Sequence, residues 1–201
     1  MRKNLLSVTV EDITDGVSRI EKELVYYAKI VDLTIFTKAI KYEDHEQWEV
    51  NISKVDSNLA QGRIRVRKVT SDKTVYIQTI KSKVVNGDIE TSFEVSDDAF
   101  EQMKSLSSAG MIKRRYVLPT DVNGLFFEVD CFFSDSEKTM IYPWVKIDLE
   151  LQPDLEYKVL PQLPPEFTSV IINQKNDRTE NEKKFIQNLY DKYFFAKHNQ
   201  D

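Results

Sequence analysis

Between residues 47 and 151 polar and apolar residues alternate in short runs, which is the period of a strand with one face buried. Gln47 to Val55 reads as a strand carrying Trp48, Val50 and Ile52, ending at Asp56-Ser57-Asn58. Arg63 to Val69 puts Arg63, Arg65 and Arg67 on one face and Ile64 and Val66 on the other. Thr74 to Val84 follows a Ser-Asp-Lys turn, and Asn86-Gly87 marks a hairpin into a returning strand, Ile89 to Val95. Three more strands are predicted at Ile112–Leu118, Leu125–Phe133 and Trp144–Leu151, with Asn123-Gly124 turning into the second.

Helices are few. Ser96 caps a helix carrying Ala99, Phe100, Met103 and Leu106, and Thr179 with Glu182 forms a capping box for an amphipathic helix running to Phe195. Phe185, Leu189 and Phe194 anchor the latter. Pro161 to Pro165 reads as a punctuated connection. The first forty residues are ambiguous. Residues 19–25 read as a strand with Arg19, Glu21 and Glu23 on one face, although Ile20, Leu24 and Tyr27 also recur at helical spacing; much of 30–41 reads as helix. This pattern predicts an α+β fold: a closed or nearly closed antiparallel β-barrel with a few flanking helices.

Charge changes the picture. Arg63/Arg65/Arg67, Lys81/Lys83, Asp88/Glu90, Lys113/Arg115, Glu128/Asp130 and Asp148/Glu150 all keep period two, with apolar residues between them. One such pair is ordinarily the wet face of a sheet. Pairs of both signs on successive strands mean something else if the sheet closes with that face inward: cations and carboxylates then converge on one cavity. Such an interior suits a polyphosphate, its oxygens held by Arg and Lys, with carboxylates holding Mg²⁺ or Mn²⁺.

Composition excludes several other classes. With 201 residues, 41% hydrophobic and 30% charged, the chain has enough apolar material for a real core. Only 5 Gly are present and neither GxxxxGK[ST] nor GxGxxG occurs, against a P-loop or Rossmann site. Cys131 is the single cysteine, so intramolecular disulfides and Cys-rich zinc sites are excluded. No apolar run approaches 18 residues and the N-terminus is no secretory signal, so the expected location is a reducing cytoplasm, without membrane insertion. A net charge of −5 gives no reason to expect duplex DNA as a partner.

The order of these motifs resembles the CYTH domains of the triphosphate tunnel metalloenzymes. Arg63-Ile64-Arg65 stands where that family has its Arg strand, Lys81 follows, and Glu90 lies on an acidic strand before the Ser96-capped helix. Lys113-Arg114-Arg115-Tyr116 matches the family's Lys-x-Arg-Tyr, Val129-Asp130-Cys131-Phe132 its Val-Asp-x-Phe, and Asp148-Leu149-Glu150 its late Glu-x-Glu. The resemblance covers about residues 19–190 and implies a single domain over 1–201. The N-terminal ExExK strand departs from the pattern: Val25 falls where Lys is expected if Glu21 and Glu23 are its carboxylates, and a shift by two residues puts Arg19 where the first Glu belongs.

The resemblance implies a divalent-metal-dependent hydrolase of a triphosphate, with inorganic triphosphate, a nucleoside triphosphate or an RNA 5′ end as the partner. Arg63, Arg65, Lys81, Lys113 and Arg115 would bind phosphate. Glu21, Glu23, Asp148 and Glu150 would hold the metal, Asp130 and Glu150 would act in catalysis, and Arg67 and Glu90 would line the tunnel. A binding module without turnover, and a class IV adenylyl cyclase, use the same scaffold. His45, in a polar loop, and His198 read as exposed bystanders; Ser96 reads as a cap, Cys131 as core, Trp48 and Trp144 as packing or rim residues, and Lys183-Lys184 as a solvated helix face.

Overall fold

The computed structural model describes residues 18–50, 62–84, 87–133, 138, 141–151, 159–173 and 179–194. Among these residues nine strands make one antiparallel sheet: β1 Ser18–Ile30, β2 Lys41–Val50, β3 Gly62–Thr70, β4 Thr74–Val84, β5 Gly87–Glu94, β6 Ser107–Pro119, β7 Phe126–Phe133, β8 Ile141–Leu151 and β9 Phe167–Asn173. Their spatial order is β5-β4-β3-β2-β6-β7-β8-β1-β9. β1 brings the ends together. Its first residues, Ser18 to Glu21, pair with β5, while Val25 to Ile30 pair with β9 and Lys22 to Lys29 pair with β8. The sheet therefore forms a nearly closed ring of the strands other than β9, and the ladder that shuts it is four residue pairs long.

The apolar alternates face outward and most are covered, with Ile89 and Phe93 of β5 left exposed. Trp48 and Val66 pack on Phe100 of α1, Asp97–Ser105, whose N-cap Ser96 accepts a hydrogen bond from the Ala99 amide. Gly110 on β6 lies directly across the ladder from Trp48. A Cβ there would come within 2.2 Å of the indole, so this position admits nothing larger than glycine without displacing the ring. On the other side Tyr26, Ala28, Phe127, Val129, Cys131, Val145, Ile147 and Leu149 form the main core with Ile35 of a short 3-10 turn, Leu33–Lys38. The buried Cys131 is a core residue, as expected.

The inward period is apolar at one end. Val25, Tyr27, Met111 and Phe132 are covered by α2, Glu180–Leu189, and by a π-helical turn, Tyr190–Phe194. Phe194 stacks on Phe132 with ring centroids 3.9 Å apart, and Thr179 with Glu182 makes the expected capping box. Gly124, with φ 83°, takes the left-handed conformation needed to turn into β7.

Three sequence expectations are corrected. The helix expected over much of 30–41 is only the six-residue 3-10 turn, after which β2 starts at Lys41 rather than Gln47. β9 was not expected at all. His45 lies in β2 rather than in a loop and is buried. Residues 51–55, the Asn86 half of the hairpin turn and His198 fall outside the described residues. Among the described residues no helix is long and apolar enough to cross a membrane.

Candidate functional site

The ring turns the period-two charges into a lining. Lys81, Glu90, Lys113, Asp130 and Asp148 are buried on the inward face of the ring. Side chains reach each other across intervening strands. Arg65 on β3 donates to Glu90 on β5 at 3.3 Å, and Lys81 lies 3.8 Å from Glu90 and 4.0 Å from Glu23 on β1.

The wall of β6, β7 and β8 is a closed ion network. Arg115 donates from Nε to Asp130 Oδ1 at 2.7 Å, from Nη2 to Asp130 Oδ2 at 2.9 Å and to Asp148 at 3.4 Å, and from Nη1 to Glu128. Lys113 donates to Asp130, and Lys146 to both oxygens of Asp148. Burial works against the Asp130 carboxylate, yet Arg115 and Lys113 hold it well below the usual range. Burial likewise opposes the charge on Arg115 and on Lys146; the carboxylates beside them prevail and raise both. For Lys113 burial prevails over Asp130 and draws the ammonium down to about 7.

The wall of β2 and β3 is different. Arg67 donates from Nη2 to the Thr79 hydroxyl at 3.1 Å, and Arg63 sits at the exposed rim 3.6 Å from Glu49. The Nε–H groups of Arg65 and Arg67 are buried and have no hydrogen-bond partner among the described residues. Burial first, and then the neighbouring Arg65, lower Arg67 to about 10. Beside them His45 Nε2 lies 3.3 Å from Glu43, which also accepts from Lys41 at 3.2 Å.

Of the expected phosphate ligands, Arg65, Lys81, Lys113 and Arg115 thus lie in one ring together with Arg67, Glu90, Asp130 and Asp148, while Arg63 stays at its exposed rim. Glu23 and Glu150 are cross-strand neighbours, while Glu21 lies opposite Asp88 in a part of β1 whose side chains fall outside the described residues. No three His, Cys, Asp or Glu side chains among the described residues group closely enough to hold a metal. Among the described lining residues that escaped the sequence reading are Glu43, His45 and Lys146. Lys146 was legible, as the next member of Lys146-x-Asp148-x-Glu150. Glu43 and His45 were masked because Asp44 and Glu46 make the other face of β2 polar too.

A ring of antiparallel strands lined by Arg, Lys, Asp and Glu in this order is the arrangement the motif order implied. The chain resembles a CYTH-type triphosphate tunnel domain. No family model and no curated protein sequence matches it. Solved structures similar to it include the inorganic triphosphatase NE1496, at 17% identity over 81% of this chain and 92% of that one, with a TM-score of 0.47. Others are HpAC1 from Hippeastrum, described as having a dominant triphosphatase activity (10% identity, 89% and 93% covered, TM-score 0.43), and PH1819 from Pyrococcus horikoshii (18%, 67% and 80%, 0.42).

Proposed function

We propose that the tunnel binds a triphosphate and hydrolyses it with the help of a divalent metal. The observation that carries this reading is the pair of buried Nε–H donors on Arg65 and Arg67 without a partner among the described residues. A buried donor left unpaired costs about 1–3 kcal/mol, and phosphate oxygens are the acceptors guanidinium groups fit best. Lys81 and the rim residue Arg63 extend the same cationic track, with Lys113 and Arg115 two strands along the ring on β6.

Glu23 and Glu150, with Glu21, would supply the hard oxygen donors that Mg²⁺ or Mn²⁺ prefers. A bound metal would neutralise phosphate charge and acidify a water. Asp130, with both oxygens committed to Lys113 and Arg115, is assigned to holding those cations in place. Glu150 remains the catalytic carboxylate of this reading.

A second reading, binding without turnover, is favoured by one observation: both oxygens of Asp148 are taken by Lys146 and one also by Arg115, which removes it from a metal set. Phosphate release from tripolyphosphate, nucleoside triphosphates and RNA 5′-triphosphate ends, under Mg²⁺ and Mn²⁺, decides between them. Calorimetry with Arg67→Met should show triphosphate affinity reduced by ~1.5–3 kcal/mol, about 10- to 150-fold. An unchanged affinity would remove the β3 wall from the site.

A further inference from the structure

The buried tunnel residue with the most to explain is His45. It is 3% exposed, sits on the charged face of β2, and pairs across the ladder with Lys113 on β6. Glu43 Oε2 lies 3.3 Å from its Nε2. Glu43 is held near a pKa of about 2, first by His45 itself, with Lys41 adding, so it is an acceptor only. Nε2 must therefore carry the ring proton, which leaves the lone pair on Nδ1. Nδ1 is buried and has no partner among the described residues.

That combination sets His45 apart from the other bases in the tunnel. Asp130 and Asp148 are committed to Lys113, Arg115 and Lys146, and Asp130 is depressed far below any useful basicity. Of the buried tunnel atoms without a partner among the described residues, Arg65 Nε and Arg67 Nε are donors, and His45 Nδ1 is the acceptor. A triphosphate that satisfies the two guanidinium donors would lie along the wall next to His45. In the ring order β2 also stands opposite β1, so His45 and the candidate metal carboxylate Glu23 are on facing walls.

We propose that His45 is the proton acceptor of triphosphate hydrolysis in this tunnel, taking the proton of the attacking water at Nδ1 while Glu43 holds Nε2. The inference rests on the hydrolytic reading above. As the water oxygen bonds to the terminal phosphorus, its proton passes to Nδ1. The bond from that phosphorus to the bridging oxygen breaks, and the electron pair leaves with pyrophosphate. The imidazolium then returns its proton to pyrophosphate or solvent, so that triphosphate and water give phosphate and pyrophosphate.

The surrounding charges make the acceptor conditional on substrate. In the free tunnel burial first, then Lys113, Arg115 and Arg67, lower His45 to about 4 against the opposing pull of Glu43, so the ring is neutral at pH 7. The groups facing it are Glu43 and Gln47 on β2, Arg67 on β3, and Lys113 and Arg115 on β6. A polyanion bound to those cations reverses their effect and raises the proton affinity of Nδ1 when the substrate is in place.

The test measures phosphate release from tripolyphosphate, with Mg²⁺ or Mn²⁺, as kcat and KM against pH for wild type, His45→Gln and Glu43→Gln. His45→Gln should lower kcat by roughly 10²- to 10⁴-fold with KM within about threefold, and should abolish the acid limb of the kcat profile. Glu43→Gln should lower kcat less and move that limb to lower pH, which a merely structural role would not do. A His45→Gln enzyme within about threefold of wild-type kcat, or one keeping the wild-type acid limb, overturns the proposal and leaves hydrolysis standing. If His45→Gln does not fold, an unshifted limb in Glu43→Gln overturns it. A wild type that releases no phosphate overturns the hydrolytic reading, and the role of His45 falls with it.

Discussion

Lys113, Arg115 and Lys146, on β6 and β8, are closed onto carboxylates of their own wall, whereas Arg65 and Arg67 on β3 keep buried Nε–H groups with no partner among the described residues. The two walls carry the same kinds of side chain at the same period, so the difference lies in partner supply. β7 and β8 put Glu128, Asp130 and Asp148 beside the β6 and β8 cations. On β3 Glu49 reaches only Arg63 and Glu90 only Arg65, and the residues beside Arg67 across the ladders, Gln47 and Ile77, with Thr79 next to them, bring no charge. A phosphate reaching the β6–β8 wall must displace a carboxylate, while one reaching the β3 wall fills donors that are already desolvated. The first wall should therefore govern stability and the second affinity.

Asp130→Asn gives the largest effect and the hardest test of that division. The carboxylate is 1% exposed and accepts from both Lys113 and Arg115. Removing its charge leaves two buried cations short of an anion, and breaking a buried pair in this way costs about 3–5 kcal/mol. Urea unfolding should show a loss of that size. The same experiment on Arg67→Met should show a change within ~1 kcal/mol, in either direction, because methionine removes an unsatisfied buried group and keeps most of the volume. Equal losses in the two variants would abolish the distinction between the walls.

The pH dependence of stability sharpens it. His45 is lowered from 6.5 to about 4 in the folded protein, chiefly by burial. Between those values the unfolded chain binds more protons than the folded one, so stability is complete above about pH 6.5 and is lost as the pH falls toward 4. The full loss is ~3 kcal/mol, taking 1.36 kcal/mol for each unit of pKa. Glu43, depressed to about 2 from 4.5, adds a further loss below pH 4.5. Urea midpoints from pH 7 down to 4.5 should fall for wild type and stay nearly flat for His45→Gln. A wild-type midpoint that does not move in that window would place His45 in contact with water.

How much of this was legible follows from how each strand meets its neighbours. β3 and β7 were readable because one face is mainly charged and the other mainly apolar, so the period shows in the residues themselves. β2 was readable only at Trp48 and Val50. Its other outward residues, Asp44 and Glu46, are polar because they bond to Arg114 and Lys104 on the outer surface, which erases the alternation. β9 is short, follows a proline-rich connection and pairs with β1 alone among the described strands. β1 looked ambiguous because it serves three partners, β8 along most of its length, β5 early and β9 late, and its inward period changes from charged to apolar at Val25. Partner choice of the ions is a property of the closed ring, and spacing along single strands does not encode it.

The smallest expected effect concerns what holds the open wall in position. Thr79 is fully buried on β4; its hydroxyl accepts from Arg67 Nη2 at 3.1 Å and shares a hydrogen bond with Ser92 at 3.0 Å. Arg67 has no carboxylate in hydrogen-bond contact among the described residues to orient it, so this neutral contact fixes where its Nε–H is presented. Thr79→Val keeps the shape and deletes the hydroxyl. It should cost about 1–2 kcal/mol of stability, because a buried donor of Arg67 loses its acceptor. Triphosphate affinity should fall by only a few-fold, roughly 3- to 10-fold, since the guanidinium survives but is no longer pre-positioned. Ser92→Ala is the control: it removes the other half of the hydroxyl pair while leaving Arg67 bonded to Thr79, and calorimetry should find its affinity unchanged. If Thr79→Val binds triphosphate as tightly as wild type, the ligand itself orients Arg67, and the open wall is arranged by its substrate rather than by the fold.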